Sequence, residues 1–175
     1  MEYFILGQDK RITNAVKPIG VSELVAKTGF TTRNWGALDD LPAQVNIAQK
    51  DYQEYVDFIA NPLPLISDKL KQLFQKFDPD IFFKPVLLAD RKRMRQNLYW
   101  LMVPQNCDCL SSDSEFHKNL TIKRLIIDSK KASGKWIFKI AGIMEAYIFV
   151  NLGVAESMLR RDFKGIEFKN VETEG

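Results

Sequence analysis

Few side chains in this 175-residue sequence could carry chemistry. His117 is the sole histidine, so a nucleophile activated by an imidazole base would depend on that one residue. Cys107 and Cys109 together with His117 could offer zinc three ligands. Cys-x-Cys with one distant histidine matches none of the common structural spacings, however, and no fourth Cys or His exists to complete the site. The two cysteines also stand too close in sequence for an easy structural disulfide, so both are expected as free thiols of a reducing compartment. The neighbouring carboxylates Asp39 and Asp40 could act as acid and base only if a cleft pushed their pKa values apart. Their surroundings read as a loop. No Gly-x-x-x-x-Gly-Lys segment precedes a helix, so a phosphate cradle of that type is excluded. The expectation is a protein with no catalytic residue, cofactor or metal.

The densest charge is Arg91-Lys92-Arg93-Met94-Arg95, with four cations in five residues. From Arg91 to Lys139 the formal charge is +7, which leaves −4 for the remainder of a chain with net charge +3. Arg91, Lys92, Arg93 and Arg95 could form a patch for an anionic partner, and with the basic 91–139 region they could grip a nucleic-acid backbone. A solvated loop between two strands would leave the same signature. Phe82, Phe83, Tyr99 and Trp100 could stack on bases, but aromatics at strand spacing usually form core.

The elements that must position these groups read as α+β: a mainly antiparallel or mixed sheet with two amphipathic helices, about 67–77 and 152–162, in a single domain. The composition, 46% hydrophobic and 27% charged, is that of a folded globular chain. No apolar run reaches the roughly 20 residues that span a bilayer, and the first residues lack a secretory signal's basic flank and long apolar stretch. A cytoplasmic protein with no membrane partner is expected.

Ser67 can cap the first helix, where Leu70, Leu73, Phe74 and Phe77 repeat at one-face spacing. Asn151 can cap the second, with Val154, Ala155, Met158 and Leu159 inward and the helix ending near Gly165. Strands are expected at Tyr3–Leu6, 44–49, Tyr55–Ile59, Ile81–Leu88, Tyr99–Val103, Leu120–Ile127, Trp136–Ile140, Tyr147–Val150 and Ile166–Val171. Pro85 places part of its strand at an edge or bulge. The turn residues of 128–134 suggest that Leu120–Ile127 and Trp136–Ile140 pair as a hairpin. Residues 1–56 form a less well defined N-terminal part, with a short helix over Glu23–Lys27 and a loop docked by Trp35 and Leu38.

An internal echo links the two helical regions. Ile81-Phe82-Phe83-Lys84-Pro85-Val86 and Ile166-Glu167-Phe168-Lys169-Asn170-Val171 share the pattern Ile-x-Phe-Lys-x-Val, each following a capped helix. The echo reflects either a duplication or two similar strand–helix–strand pieces in one sheet; two copies are too few for a solenoid.

Over about residues 57–171 the chain resembles the immunity-protein family of bacterial polymorphic toxin systems, long catalogued as a domain of unknown function. The resemblance rests on the helix start Pro64-Leu65-Ile66-Ser67-Asp68-Lys69-Leu70 and the strand ending near Pro85-Val86. It continues through Tyr99–Val103 with Asp108-Cys109-Leu110 and Asp113-Ser114-Glu115. Its last part is Ile148-Phe149-Val150 leading into Val154–Leu159 and Lys164-Gly165-Ile166-Glu167-Phe168. Asn151 stands where the pattern favours serine, and Lys164 where it favours a threonine-like residue. The resemblance implies an α+β protein that binds a cognate protein toxin and blocks its active site or partner surface, with no catalysis of its own. Immunity proteins against nucleases are often acidic, so the +7 region points away from a nuclease or moves the contact to the acidic remainder.

Overall fold

Both helix caps foreseen in the sequence form, and each joins a strand to the helix that follows it. A computed structural model describes residues 1–22 and 41–175; the expected Glu23–Lys27 helix, the Trp35 and Leu38 contacts and the Asp39–Asp40 pair lie outside the described residues. In the first region β5 (Leu65–Ser67) enters α1 (Asp68–Phe77) and leaves as β6 (Phe82–Asp90), which turns back into β7 (Arg95–Val103). The Ser67 hydroxyl accepts from Leu70 N at 3.2 Å, satisfying one of the donors that a helix start leaves bare. In the second, β13 (Ile148–Asn151) enters α2 (Leu152–Leu159) and leaves as β14 (Ile166–Glu174). There the Asn151 side-chain oxygen accepts from Val154 N at 3.0 Å.

In each region the two flanking strands run parallel with one antiparallel strand inserted between them. β7 lies between β5 and β6. Between β13 and β14 lies β1 (Tyr3–Gln8), the first strand of the chain. The registers coincide row by row. Ser67, Tyr99 and Val86 stand abreast in one region, and Asn151, Tyr3 and Val171 in the other. The next rows but one are Leu65, Leu101 and Lys84 against Phe149, Ile5 and Lys169. The Ile-x-Phe-Lys-x-Val echo is therefore a register equivalence, Lys84 matching Lys169. The two copies do not share one sheet; each forms the middle of its own.

The first six-stranded sheet runs β2 (Pro18–Ile19), β3 (Ala43–Ile47), β6, β7, β5 and β4 (Phe58–Ile59). The second runs β11 (Ile126–Asp128), β14, β1, β13, β12 (Ile137–Ile140) and β8 (Asn106–Cys107). β3 joins β6 in parallel as β11 joins β14, and β4 joins β5 in antiparallel as β12 joins β13. Both sheets curl. In the second, β8 pairs with β12, and Leu110 just beyond it bridges antiparallel to Ile127, so one short stretch links the two sheet edges. In the first, Ala15 bridges to Glu54 in the same capacity.

Each curled sheet encloses its own apolar core, around Val86, Tyr99 and Leu101 in the first and around Tyr3, Phe138 and Phe149 in the second. A third cluster lies between the sheets and unites α1 (Leu70, Phe74), α2 (Val154, Met158) and both sheets (Leu6, Ile66, Met102, Val150). The two tyrosines at matching positions are each buried, and each hydroxyl donates to a backbone carbonyl: Tyr99 to Val56 at 2.7 Å and Tyr3 to Ala132 at 2.8 Å.

Several sequence expectations need correction. The chain is sheet-dominated, so α+β holds only roughly: both six-stranded sheets are mixed, one of the two kinds expected, and among the described residues the helices α1 and α2 are short. The expected Leu120–Ile127 strand is split: β10 (Ile122–Arg124) pairs with β9 (Glu115–Phe116) in a separate hairpin, and β11 pairs with β14. It forms no hairpin with β12, because β14, β1 and β13 stand between them in the sheet. α2 ends at Leu159 rather than near 162. Its final turn tightens as Arg161 N donates to Met158 O, and the chain then turns so that Lys164 N reaches Asp57 Oδ2 at 2.6 Å. Only Phe58–Ile59 of the expected Tyr55–Ile59 strand is in sheet. Pro85 behaves as expected: β3 begins its pairing at Val86, so among the described residues no strand on that side asks Pro85 for an N–H.

Candidate functional site

The basic residues singled out from the sequence meet at the β6–β7 hairpin, where Arg91, Lys92, Arg93 and Met94 form the turn and Arg95 opens β7. The chain's own acceptors draw on all of them. Asp90, fully buried at the base of the turn, accepts from Arg93 N and Nη1 at 3.1 and 3.0 Å, with Arg95 Nε at 3.9 Å. Burial pushes the Asp90 carboxyl up, but the Arg93 hydrogen bonds and the two guanidinium charges outweigh it and hold the group below its ordinary value. Arg93 also donates to the carbonyls of Lys50 and Asp51. Lys92 pairs with Asp51 at 3.0 Å, and Arg91 Nε donates to Asn46. Arg95 lies over the Tyr55 ring at 5.2 Å. A phosphate arriving here would have to compete with those acceptors.

The cysteines and the histidine do not come together. Cys107 and Cys109 point into the second sheet's core, and burial, with Cys107 adding to it, pushes the Cys109 thiol up and keeps it protonated. His117 sits on the exposed β9–β10 hairpin. Among the described residues no three His, Cys, Asp or Glu side chains are grouped to hold a metal ion. No helix among them is long and apolar enough to cross a membrane.

A second surface feature was not foreseen. A groove of about 590 Å³ opens where the end of β1 and β14 face the 60–64 loop and the segment ahead of β13. Ile5 and Phe58 supply apolar lining, and Gln8, Glu145, Tyr147, Glu167 and Lys169 the polar groups. At its rim Asp9 is held to Arg11 by contacts of 2.7–3.2 Å, which bring the carboxyl down to about 2, chiefly through the Arg11 side-chain hydrogen bonds. Glu145 Oε1 accepts from Ile122 N at 2.7 Å, whereas its buried Oε2 has no hydrogen-bond partner. Gly7 keeps β1 clear here: a Cβ on it would stand 3.0 Å from Glu167 Cγ. The sequence offered one clue to this groove, Lys169 in the echo, whose exposure only the tertiary pairing decides.

The model of the immunity protein family (Imm11) matches residues 8–173. The chain belongs to that family. The Imm11 match extends the resemblance, which began at about residue 57, back to residue 8, and so adds β2 and β3 of the first sheet but only Gln8 of β1. No curated protein matches the chain.

Proposed function

We propose that this Imm11-family chain is a bacterial immunity protein that acts in the cytoplasm by binding one cognate toxin of a polymorphic toxin system and masking its active site or partner surface. The family match over residues 8–173 carries the reading. It is supported by chemistry that favours binding over catalysis: the thiols are sealed in core, and the lone histidine stands on an exposed hairpin apart from them. Neutralisation is then stoichiometric, with no turnover and no cofactor. The cluster shared by both sheets and both helices supports one domain that binds as a unit. The basic hairpin offers a nucleic-acid or anionic-ligand surface only after its internal partners are displaced.

The test is co-expression with the toxin domain encoded beside this gene. Survival of cells that the toxin alone kills, and co-purification as a complex of fixed ratio, are the expected results. Killing despite expression, or rescue by substoichiometric protein, would overturn the reading.

A further inference from the structure

The two units match strand for strand, so a position filled in one shows what its counterpart in the other can accept. Lys84 and Lys169 are such counterparts: both sit on the strand leaving the helix, opposite Leu101 and Ile5. Lys84 is 2% exposed, and its Nζ donates to the backbone carbonyl of Leu41 at 2.6 Å. Leu41 lies just ahead of β3, so the chain entering that strand supplies the acceptor. In the second unit the residues ahead of β11 form β10 and pair with β9, with Arg124 bonded to Glu172. Among the described residues none supplies such an acceptor there. Lys169 stands exposed, lines the 590 Å³ groove, and its side chain makes no hydrogen bond or ion pair within the described residues.

We propose that this groove is the toxin-binding site, and that it receives an extended segment of the toxin which gives Lys169 a backbone carbonyl, as the chain itself gives Lys84. This rests on the immunity reading above and names the surface that carries it. The groove's charge narrows the segment further. Asp9 is already occupied by Arg11, but Glu145 has a buried oxygen without a partner, and Glu167 is a second carboxylate of the lining. The segment therefore brings a lysine or arginine toward Glu145 and Glu167, with apolar side chains against Ile5 and Phe58. A buried acceptor, and a donor that binding itself would bury, also supply discrimination, since a segment that matches neither leaves a desolvated polar group unpaired.

The experiment titrates wild-type protein, Lys169→Glu, Glu167→Lys and Lys92→Glu against the purified toxin domain encoded beside the gene, by calorimetry. Thermal unfolding confirms that each variant is folded. The expected result is binding about tenfold or more weaker for Lys169→Glu and Glu167→Lys, with Lys92→Glu within about twofold of wild type. Hydrogen–deuterium exchange of free and bound protein should show protection over residues 60–64 and 145–147, a readout that needs no substitution. Absence of wild-type binding would defeat the immunity reading itself. Wild-type affinity in both groove variants, protection confined to other segments, or loss at Lys92→Glu alone would leave that reading intact and overturn the groove as its site.

Discussion

Removing the Tyr99 hydroxyl tests the curled-core description at one atom. The ring is 4% exposed inside the first core, and its hydroxyl donates to the carbonyl of Val56, a residue itself 1% exposed. Tyr99→Phe leaves that carbonyl buried and without its donor, which costs about 1–3 kcal/mol because water does not replace the bond. With a urea dependence of about 2–3 kcal/mol/M for a chain of this size, the unfolding midpoint should drop by about 0.3–1.5 M with the slope unchanged. Burial, followed by the nearby Asp57 and Tyr55, pushes the Tyr99 hydroxyl up, so it is neutral throughout the neutral range and the loss should not vary between pH 6 and 9. Tyr3→Phe, its counterpart bonded to Ala132, should behave alike, and the double variant should lose the sum because the two hydroxyls share no partner. Tyr52→Phe, at 70% exposure, is the control. A Tyr99→Phe midpoint equal to that of Tyr52→Phe would show that water reaches the Val56 carbonyl and that the first sheet does not enclose a dry core.

Gly165 has φ +76°, and a Cβ there would lie 2.6 Å from Val56 Cβ; Gly165→Ala should cost about 2–4 kcal/mol, read as a fall in the urea midpoint. Asp9, held at about 2 against an ordinary 3.8, binds fewer protons folded than unfolded, so it stabilises above the ordinary value and that stability is lost as the pH falls toward 2. Asp9→Asn should make the urea midpoint flatter across that window, with a residual slope from the other lowered carboxyls of Asp51, Asp90, Glu115 and Glu172. Deleting residues 1–8 removes the strand between β13 and β14 and should abolish cooperative unfolding of the second sheet, whereas a permutant joining Gly175 to Met1 by a short linker and opened within 91–94 should keep a native circular dichroism spectrum.

What the sequence made legible was whatever depends on near neighbours. Ser67 and Asn151 cap because a hydroxyl or amide three residues ahead of a bare N–H needs nothing from the rest of the chain. Tyr99–Val103 reads as a buried strand because its faces meet two different cores, Tyr99 and Leu101 inside the first sheet and Met102 on the helix side. The Leu120–Ile127 run misled for the opposite reason. Its apolar residues suit one strand, but Ile122 is bonded to Glu145 and Ile126 begins a parallel pairing with a strand over 40 residues away, neither of which leaves a periodic mark. Nor does local pattern reveal that β1 completes the second unit, standing where β7 stands in the first. The groove stayed hidden for that same reason, since it exists only where β1, β14 and the 60–64 loop converge.

The contrast between Lys84 and Lys169 bears on why a binding protein would keep two units so alike. Burying a lysine is tolerable only if its ammonium keeps a hydrogen-bond partner, and the first unit meets that condition from within its own chain. The second unit leaves its lysine in water, where the free protein bears no penalty for an unsatisfied charge. Burial of that lysine is thereby deferred to the moment of binding, and it is favourable only for a partner that brings an acceptor. A fold that already stabilises a chain segment laid over this row in one half presents, in its other half, the same row with the segment missing. Recognition would then need no element beyond those that hold the protein together, and its selectivity would come from the polar atoms that the second unit leaves for its partner to satisfy.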